Sequence, residues 1–300
     1  MLQVAYNDIY VHPLPENHRF PMEKYELLMQ QLLHEGTILP EQVFSPTSIQ
    51  SSEVLRVHDA SYLERLKHLD VPPKEQRVSG FVHNERLIQR ELMIMGGTRA
   101  CAEAVLNGGA AMNIAGGTHH AFTNRGEGFC LLNDQAIAAQ WLLDHTEIAK
   151  ILIVDLDVHQ GNGTAEIFQN QQDVFTFSMH GKNNYPLKKE VSDLDVALSD
   201  GCSDQEYWHQ LEASLDQILS NFHPDFIFYQ CGVDVVATDK LGRLGLSREG
   251  CKRRDEIVFS TVKSLEVPVV STMGGGYSPH IKDIVEAHAN TYRVAQDILF

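Results

Sequence analysis

Asp155, Asp157 and His159 fall at every second position of the segment Asp155-Leu156-Asp157-Val158-His159, directly after the apolar run Ile151-Leu152-Ile153-Val154. An extended chain at that spacing projects all three side chains to one side. Acids so close to a buried strand are unfavourable unless they are paired or bound to a cation. Two carboxylates and one imidazole make a neutral ligand set for a divalent ion, and zinc accepts both donor types while keeping a position open at catalytic sites. Three other segments carry residues of the same character: Gly116-Gly117-Thr118-His119-His120, Gln230-Cys231-Gly232-Val233-Asp234, and Gly274-Gly275-Gly276-Tyr277. A histidine pair supplies proton transfer near neutral pH, and a tyrosine behind three glycines can donate to a developing oxyanion. Taken singly, each segment reads equally well as a solvated turn or a packing residue; their common placement argues for a site.

That placement follows from the elements. Each polar segment comes directly after a short apolar run: 110–114, 151–154, 226–229 and 267–271. Helical spacing over 85–107, 133–144, 205–220 and 247–265 alternates with these runs and with a further strand at 174–178, a βα pattern that predicts a largely parallel sheet flanked by helices, hence an α/β fold. In such sheets ligands bind beyond the carboxyl ends of the strands, so the four segments are expected on one edge. The first 80 residues are less regular, with prolines at 13, 15, 21, 40, 46, 72 and 73 and one predicted helix over 22–35. No linker or repeat divides the chain, and one domain over residues 1–300 is expected.

The formal charge of −16, from 40 acidic and 24 basic residues, argues against direct nucleic-acid binding and favours a cationic substrate. The five cysteines include no CxxC pair, which argues against a thiolate metal site and fits a reducing compartment. No membrane-spanning apolar stretch and no leader-like start are found, so a cytoplasmic protein is expected.

Together, GGTHH at 116–120, RGEGFCLLND at 125–134, DLDVHQGNGT at 155–164, GVD at 232–234 and GGGY at 274–277 resemble the zinc-dependent histone deacetylase family. HQGNG at 159–163, TDKLGRLGLS at 238–247 and RRDEIVF at 253–259 are most similar to its class IV, histone-deacetylase-11-like branch. The resemblance implies an arginase/deacetylase fold and zinc on Asp157, His159 and Asp234, with iron(II) as the other ion that an oxygen-rich set accepts. It implies a structural potassium ion held by Asp155, the Ser178 hydroxyl and main-chain oxygens of Asp157, His159 and Met179. It makes Asp155 the partner of His119, His120 the general base that takes a proton from zinc-bound water, and Tyr277 the oxyanion donor. Phe129 and Tyr185 match the aromatic walls of an acyl-lysine tunnel, and Gly128 a main-chain carbonyl that meets the substrate amide. His18-Arg19 resembles the family's arginine-bearing loop, with Arg19 near the pocket floor, and Val57-His58-Asp59 followed by Tyr62-Leu63 resembles another recurrent segment. Asn162 stands where class I members often carry an acid, which leaves the charge state of His120 open.

The implied reaction is hydrolysis of an acyl-lysine peptide, or a related acyl-amine, to a carboxylic acid and a free amine. Acetyl and long-chain fatty-acyl groups are both within the expected range, and acetylpolyamines and small amides are the alternative carriers. A two-metal ureohydrolase would need a second acid two positions after Asp234, where Val236 stands. A non-catalytic acyl-lysine binder would be expected to lack a ligand, a catalytic histidine or the tyrosine, and all are present.

Overall fold

The apolar runs alternate between two buried faces. In a computed structural model that describes residues 1–300, Ile151 and Ile153 pack into one hydrophobic core and Leu152 and Val154 into another; Phe226 and Phe228 likewise oppose Ile227 and Tyr229. A strand buried on both faces has no solvent side, which is why these segments read as continuous hydrophobic runs instead of alternating ones.

The first part of the chain gives β1 (Gln3–Ala5), α1 (Lys24–His34), β2 (Val43–Phe44), α2 (Ser51–Val54), α3 (Ala60–Lys67), α4 (Pro73–Ser79), α5 (Glu85–Ala104) and β3 (Ala110–Asn113). There follow α6 (Asp134–His145), β4 (Ile151–Asp155), α7 (Asn162–Phe168), β5 (Val174–Gly181), β6 (Leu194–Leu198) and α8 (Asp204–Leu219). β7 (Phe226–Gln230), α9 (Arg248–Leu265), β8 (Val269–Thr272) and α10 (Ile281–Leu299) complete it. The strands form one eight-stranded sheet in the order β2-β1-β3-β8-β7-β4-β5-β6, and every pairing is parallel.

The helices expected over 133–144, 205–220 and 247–265 are present within a residue or two. All three start with a side-chain cap: the Asn133 side chain accepts from the Ala136 amide at 3.0 Å, Ser203 Oγ from the Glu206 amide at 3.4 Å and Ser247 Oγ from the Gly250 amide at 2.8 Å. Eight elements lie outside the sequence reading: the short strands β1 and β2, the edge strand β6, the short helices α2, α3, α4 and α7, and α10. Leu194 to Leu198 alternates half-buried and exposed residues before ending buried, the mark of an edge strand.

β3, β8, β7 and β4 are consecutive in the sheet, although β8 is the last strand of the chain. Their carboxyl ends therefore lie side by side, and the four polar segments meet on one edge as the βα alternation predicts. Phe228, fully buried in the sheet's centre, tests this packing. Phe228→Ala should lower the unfolding free energy by about 3–5 kcal/mol, seen as a reduced denaturant midpoint at unchanged slope; a midpoint that does not move would show that this face is not packed as described.

Candidate active site

Strand β4 ends at Asp155, and the chain then bends instead of continuing extended. Asp155 Oδ1 accepts from the Asp157 amide at 3.1 Å, and Asp157 Oδ1 from the His159 amide at 3.0 Å. These two Asx-type turns, favoured because a short carboxylate reaches the amide two residues on, correct the extended geometry expected from the spacing. The bend sends Asp155 toward His119 and brings Asp157 and His159 up against Asp234 from the loop after β7.

Asp157, His159 and Asp234 are buried and offer ligand atoms that lie within 4.8 Å of one another. His159 Nδ1 is 3.0 Å from Asp157 Oδ1 and 3.1 Å from Asp234 Oδ2. Asp234 Oδ1 accepts from the Val158 amide at 2.9 Å. Its Oδ2 is buried and, though close to His159, is misaligned for a hydrogen bond and has no other partner. An orphaned carboxylate oxygen beside a second carboxylate and an imidazole fits a divalent cation. Burial alone would lower the His159 imidazole, but the hydrogen bond to Asp157 and the nearby Asp234 raise it to about 10 in the cation-free protein. Burial, then the charge of Asp157, lifts the Asp234 carboxyl to about 7.

The histidine pair is split by its partners. His119 donates from Nδ1 to Asp155 Oδ2 at 2.6 Å, and the charges of Asp155 and Asp157 overcome burial and raise its pKa. His120 donates from Nδ1 to Asn162 Oδ1 at 2.6 Å. Burial, followed by the charges of His119 and His159, pushes His120 well below its ordinary value, and the bond to Asn162 does not offset this. With its proton on Nδ1, a neutral His120 keeps a lone pair on Nε2. Environments that drive two adjacent groups apart are how acid–base roles are divided.

Buried charges hold the loop backbones. Asp134, at the start of α6, accepts from the Gly117 amide at 3.1 Å and from the Thr118 amide and hydroxyl, each at 2.8 Å, fixing the segment that presents both histidines. Arg254 of α9, fully buried, donates to the carbonyls of Gly232 at 2.5 Å, Leu156 at 3.3 Å and Cys231 at 3.3 Å, tying together the loops after β4 and β7. In the glycine loop, Asp157 Oδ2 accepts from the Gly275 amide at 2.7 Å and Asp239 Oδ2 from the Tyr277 amide at 2.6 Å. Gly274 has φ +66, and a Cβ on Gly275 would collide with the Asp234 carboxylate, so these positions need glycine. The buried Lys24 ammonium donates to the Gly274 carbonyl at 3.0 Å and lies 5.5 Å from the centre of the Tyr277 ring. Burial lowers its pKa to about 8.

A cavity of about 370 Å³ reaches the site; His120, Gly128, Phe129, His159, Tyr185 and Tyr277 all line it. Beyond them lies a further space of only about 30 Å³. The residues expected to contact substrate are thus brought together, with Phe129 at φ +68 and the Tyr185 hydroxyl donating to Glu127 at 2.5 Å. Ser178 pairs with Asp155 across the strands, and Met179 follows it in β5. Arg19 corrects its expected position: its side chain is exposed at the outer end of the cavity, and the buried arginine lining the inner space is Arg90. His18 Nε2 bonds the Gly80 carbonyl at 2.9 Å and fixes the loop so that Phe20, not Arg19, turns inward.

The histone deacetylase domain model matches residues 18–292, nearly the whole chain. The chain belongs to the histone deacetylase family. It is 44% identical to an uncharacterized protein of Picosynechococcus sp., over 98% of each chain. It is 28% identical to histone deacetylase 2 of Arabidopsis thaliana, over 90% of this chain and 72% of the relative. A solved structure of an HDAC homologue complexed with SAHA superposes with a TM-score of 0.83 at 24% identity, covering 99% of this chain and 83% of the other, and shares the fold. As a member, the chain is a deacetylase-type hydrolase domain, in a family whose chemistry is removal of acyl groups from amines such as lysine.

A cation on Asp157, His159 and Asp234 must displace the proton that His159 holds below about 10. Zinc affinity should therefore rise with pH, roughly tenfold per unit for each proton displaced. Zinc titrations at pH 6 and pH 8 check this, and equal affinities would remove His159 from the ligand set.

Proposed function

We propose that this domain hydrolyses the amide of an acetylated lysine or a similar short-chain acyl-amine with the help of a divalent ion, zinc first among candidates, held by Asp157, His159 and Asp234. The observation that carries the reading is the unpartnered, buried Asp234 Oδ2 beside His159, within reach of one cavity that also holds His120 and Tyr277. When bound, the ion supplies Lewis acidity toward the acyl carbonyl and makes a water more acidic.

The chain's own groups do the rest. His120, neutral with Nε2 free, takes the proton of the attacking water as the C–O bond forms, then delivers it to the amine nitrogen as the C–N bond breaks. His119, held on Asp155, stays as an oriented cationic neighbour. Burial, then the charges of Asp234 and Asp157, holds the Tyr277 phenol well above its ordinary pKa and therefore protonated, so that it donates to the carbonyl oxygen as negative charge develops there. Phe129 and Tyr185 flank the acyl-lysine stem, and the Gly128 carbonyl accepts from the substrate amide. A potassium ion shared by Asp155, the Ser178 hydroxyl and the main-chain oxygens of Asp157, His159 and Met179 would steady the β4–β5 turn region. The class IV affinity rests on the sequence details at 159–163, 238–247 and 253–259, and one catalytic domain over 1–300, working in the cytoplasm, is the accompanying reading.

The acyl preference follows from size. The inner space of about 30 Å³ holds an acetyl methyl or one or two waters, and a fatty tail would have to part Tyr277 from Phe129 to enter. Zinc-loaded protein should therefore cleave an acetylated lysine peptide faster than its octanoyl or myristoyl counterparts. Long chains turning over fastest would overturn the short-acyl assignment, and no cleavage of any would overturn acyl-lysine as substrate. Tyr277→Phe should retain metal yet lose on the order of 100-fold in kcat, with His120→Ala inactive; unchanged turnover in Tyr277→Phe would remove the tyrosine from the reaction.

A further inference from the structure

The outer end of the cavity carries the opposite charge to the molecule as a whole. Arg19 and Arg77 both line the cavity that leads to His120 and His159, and both also line a larger adjoining groove of about 800 Å³. Both are exposed, and neither forms an ion pair or a side-chain hydrogen bond. No aspartate or glutamate lines either space, in a chain with 40 acidic residues and a formal charge of −16. Two acids near this region are already engaged, Glu75 with Arg65 at 2.8 Å and Glu127 with Arg125 at 2.8 Å, while Glu23, close to Arg19 in sequence, lines a separate space on the other side of Arg19.

The two arginines are also held in register. Arg19 follows His18, and Arg77 lies in α4 three residues before Gly80; the 2.9 Å bond from His18 Nε2 to the Gly80 carbonyl joins the Arg19 loop to the end of α4. His18 Nδ1 accepts from the Phe20 amide at 3.1 Å, which leaves the proton on Nε2 to make that bond, and the His18 ring stacks on Phe81 at 5.7 Å and 11°. A guanidinium carried on an anchored backbone and free of protein acceptors is suited to a carboxylate or phosphate from a ligand.

Resting on the deacylase reading above, we propose that the groove takes the amine-carrying half of the substrate and selects a carrier with an anionic group beside the acylated amine, foremost an acyl-lysine in an acidic peptide segment. The acyl group enters past Phe129 and Tyr277, so the carrier is what remains at the mouth, where Arg19 and Arg77 meet its carboxylates. A polyamine, or lysine among arginines, would bring cations against these guanidinium groups. The whole-chain charge argues for a basic substrate, but at physiological salt fields beyond about 8 Å are largely screened, so the nearest charges decide.

The test uses acetyl-lysine peptides of one length with aspartate, serine or arginine on both sides of the lysine, at 0.15 M salt. The aspartate peptide should show kcat/KM roughly 5-fold or more above the arginine peptide, the serine peptide falling between, with the ratio shrinking at 0.5 M salt. Arg19→Gln/Arg77→Gln should bring the ratio close to one, with the aspartate peptide losing the most kcat/KM. Free Nε-acetyl-lysine against its α-amide distinguishes the carrier's own carboxylate from that of a neighbouring residue. A preference for arginine flanks, or equal rates for all three peptides, would overturn the proposal while leaving deacylation standing. Cleavage of none would instead sink the deacylase reading, and fluorescence-anisotropy binding of the three deacetylated peptides would then decide the groove's charge selectivity: tighter aspartate binding upholds it, tighter or equal arginine binding overturns it.

Discussion

Asp155, Asp157 and Asp234 lie in one buried cluster, where each ionised carboxylate must find protein donors or a cation in place of water. Six of the contacts described above answer that need: amides of residues 157, 158, 159 and 275, and the imidazoles of His119 and His159. What is left over is one oxygen of Asp234 and a proton on His159 that a doubly charged ion replaces. The same amides belong to the loops after β4 and β8, so satisfying the carboxylates also sets the shape of the site. Charge compensation and geometry are one problem here, solved by one set of bonds.

A second tier of buried charges supports the first from behind. Asp134, Asp239, Arg254 and Lys24 direct their polar atoms largely at backbone groups of the four loops. Backbone partners hold a loop whatever side chains it carries, so the histidines and the tyrosine are placed mainly through their loop backbones. Arg254 is also paired with Asp255 at 2.8 Å, and Asp255 accepts from Tyr229 and Thr291, which carries the clamp into the core between β7 and α10. Isolated buried charges would be strongly destabilising; saturated by carbonyls and amides they confer rigidity.

The strand-then-loop grammar of the chain was legible because two-sided burial leaves uninterrupted apolar runs and the chemistry collects in the glycine-rich segments that follow. The histidine pair, Asp157, His159, Asp234 and Tyr277 could be found that way, whereas Gly128, Phe129 and Tyr185 came only from the family resemblance. The detailed arrangement of the site could not: alternate spacing at 155–159 suggests an extended strand, and only the carboxylate-to-amide turns reveal a bend. Asp134, Lys24 and Arg254 escaped notice for a different reason. A charged residue looks the same in sequence whether it is solvated or buried against carbonyls, since its acceptors belong to the backbone and leave no mark in residue type. Arg19 went astray in the opposite direction, because which of two neighbouring residues turns inward is decided by the His18–Gly80 bond, sixty-two positions apart. The short strands β1 and β2 are too brief to show a period, and α10 carries no chemistry-bearing motif.

The position of β8 has a bearing on how the molecule is made. It is the last strand to leave the ribosome, yet it inserts between β3 and β7 in the middle of the sheet. A nascent chain lacking residues 269–272 has β3 and β7 with unfilled edges and no glycine loop to meet Asp157. Pairings this distant in sequence form late and leave hydrophobic edges open in the interval. Completion of the carboxylate cluster's backbone partners thus waits on β8, the last of the eight strands, and the exposed β3 and β7 edges are the point at which a chaperone would have the most to protect.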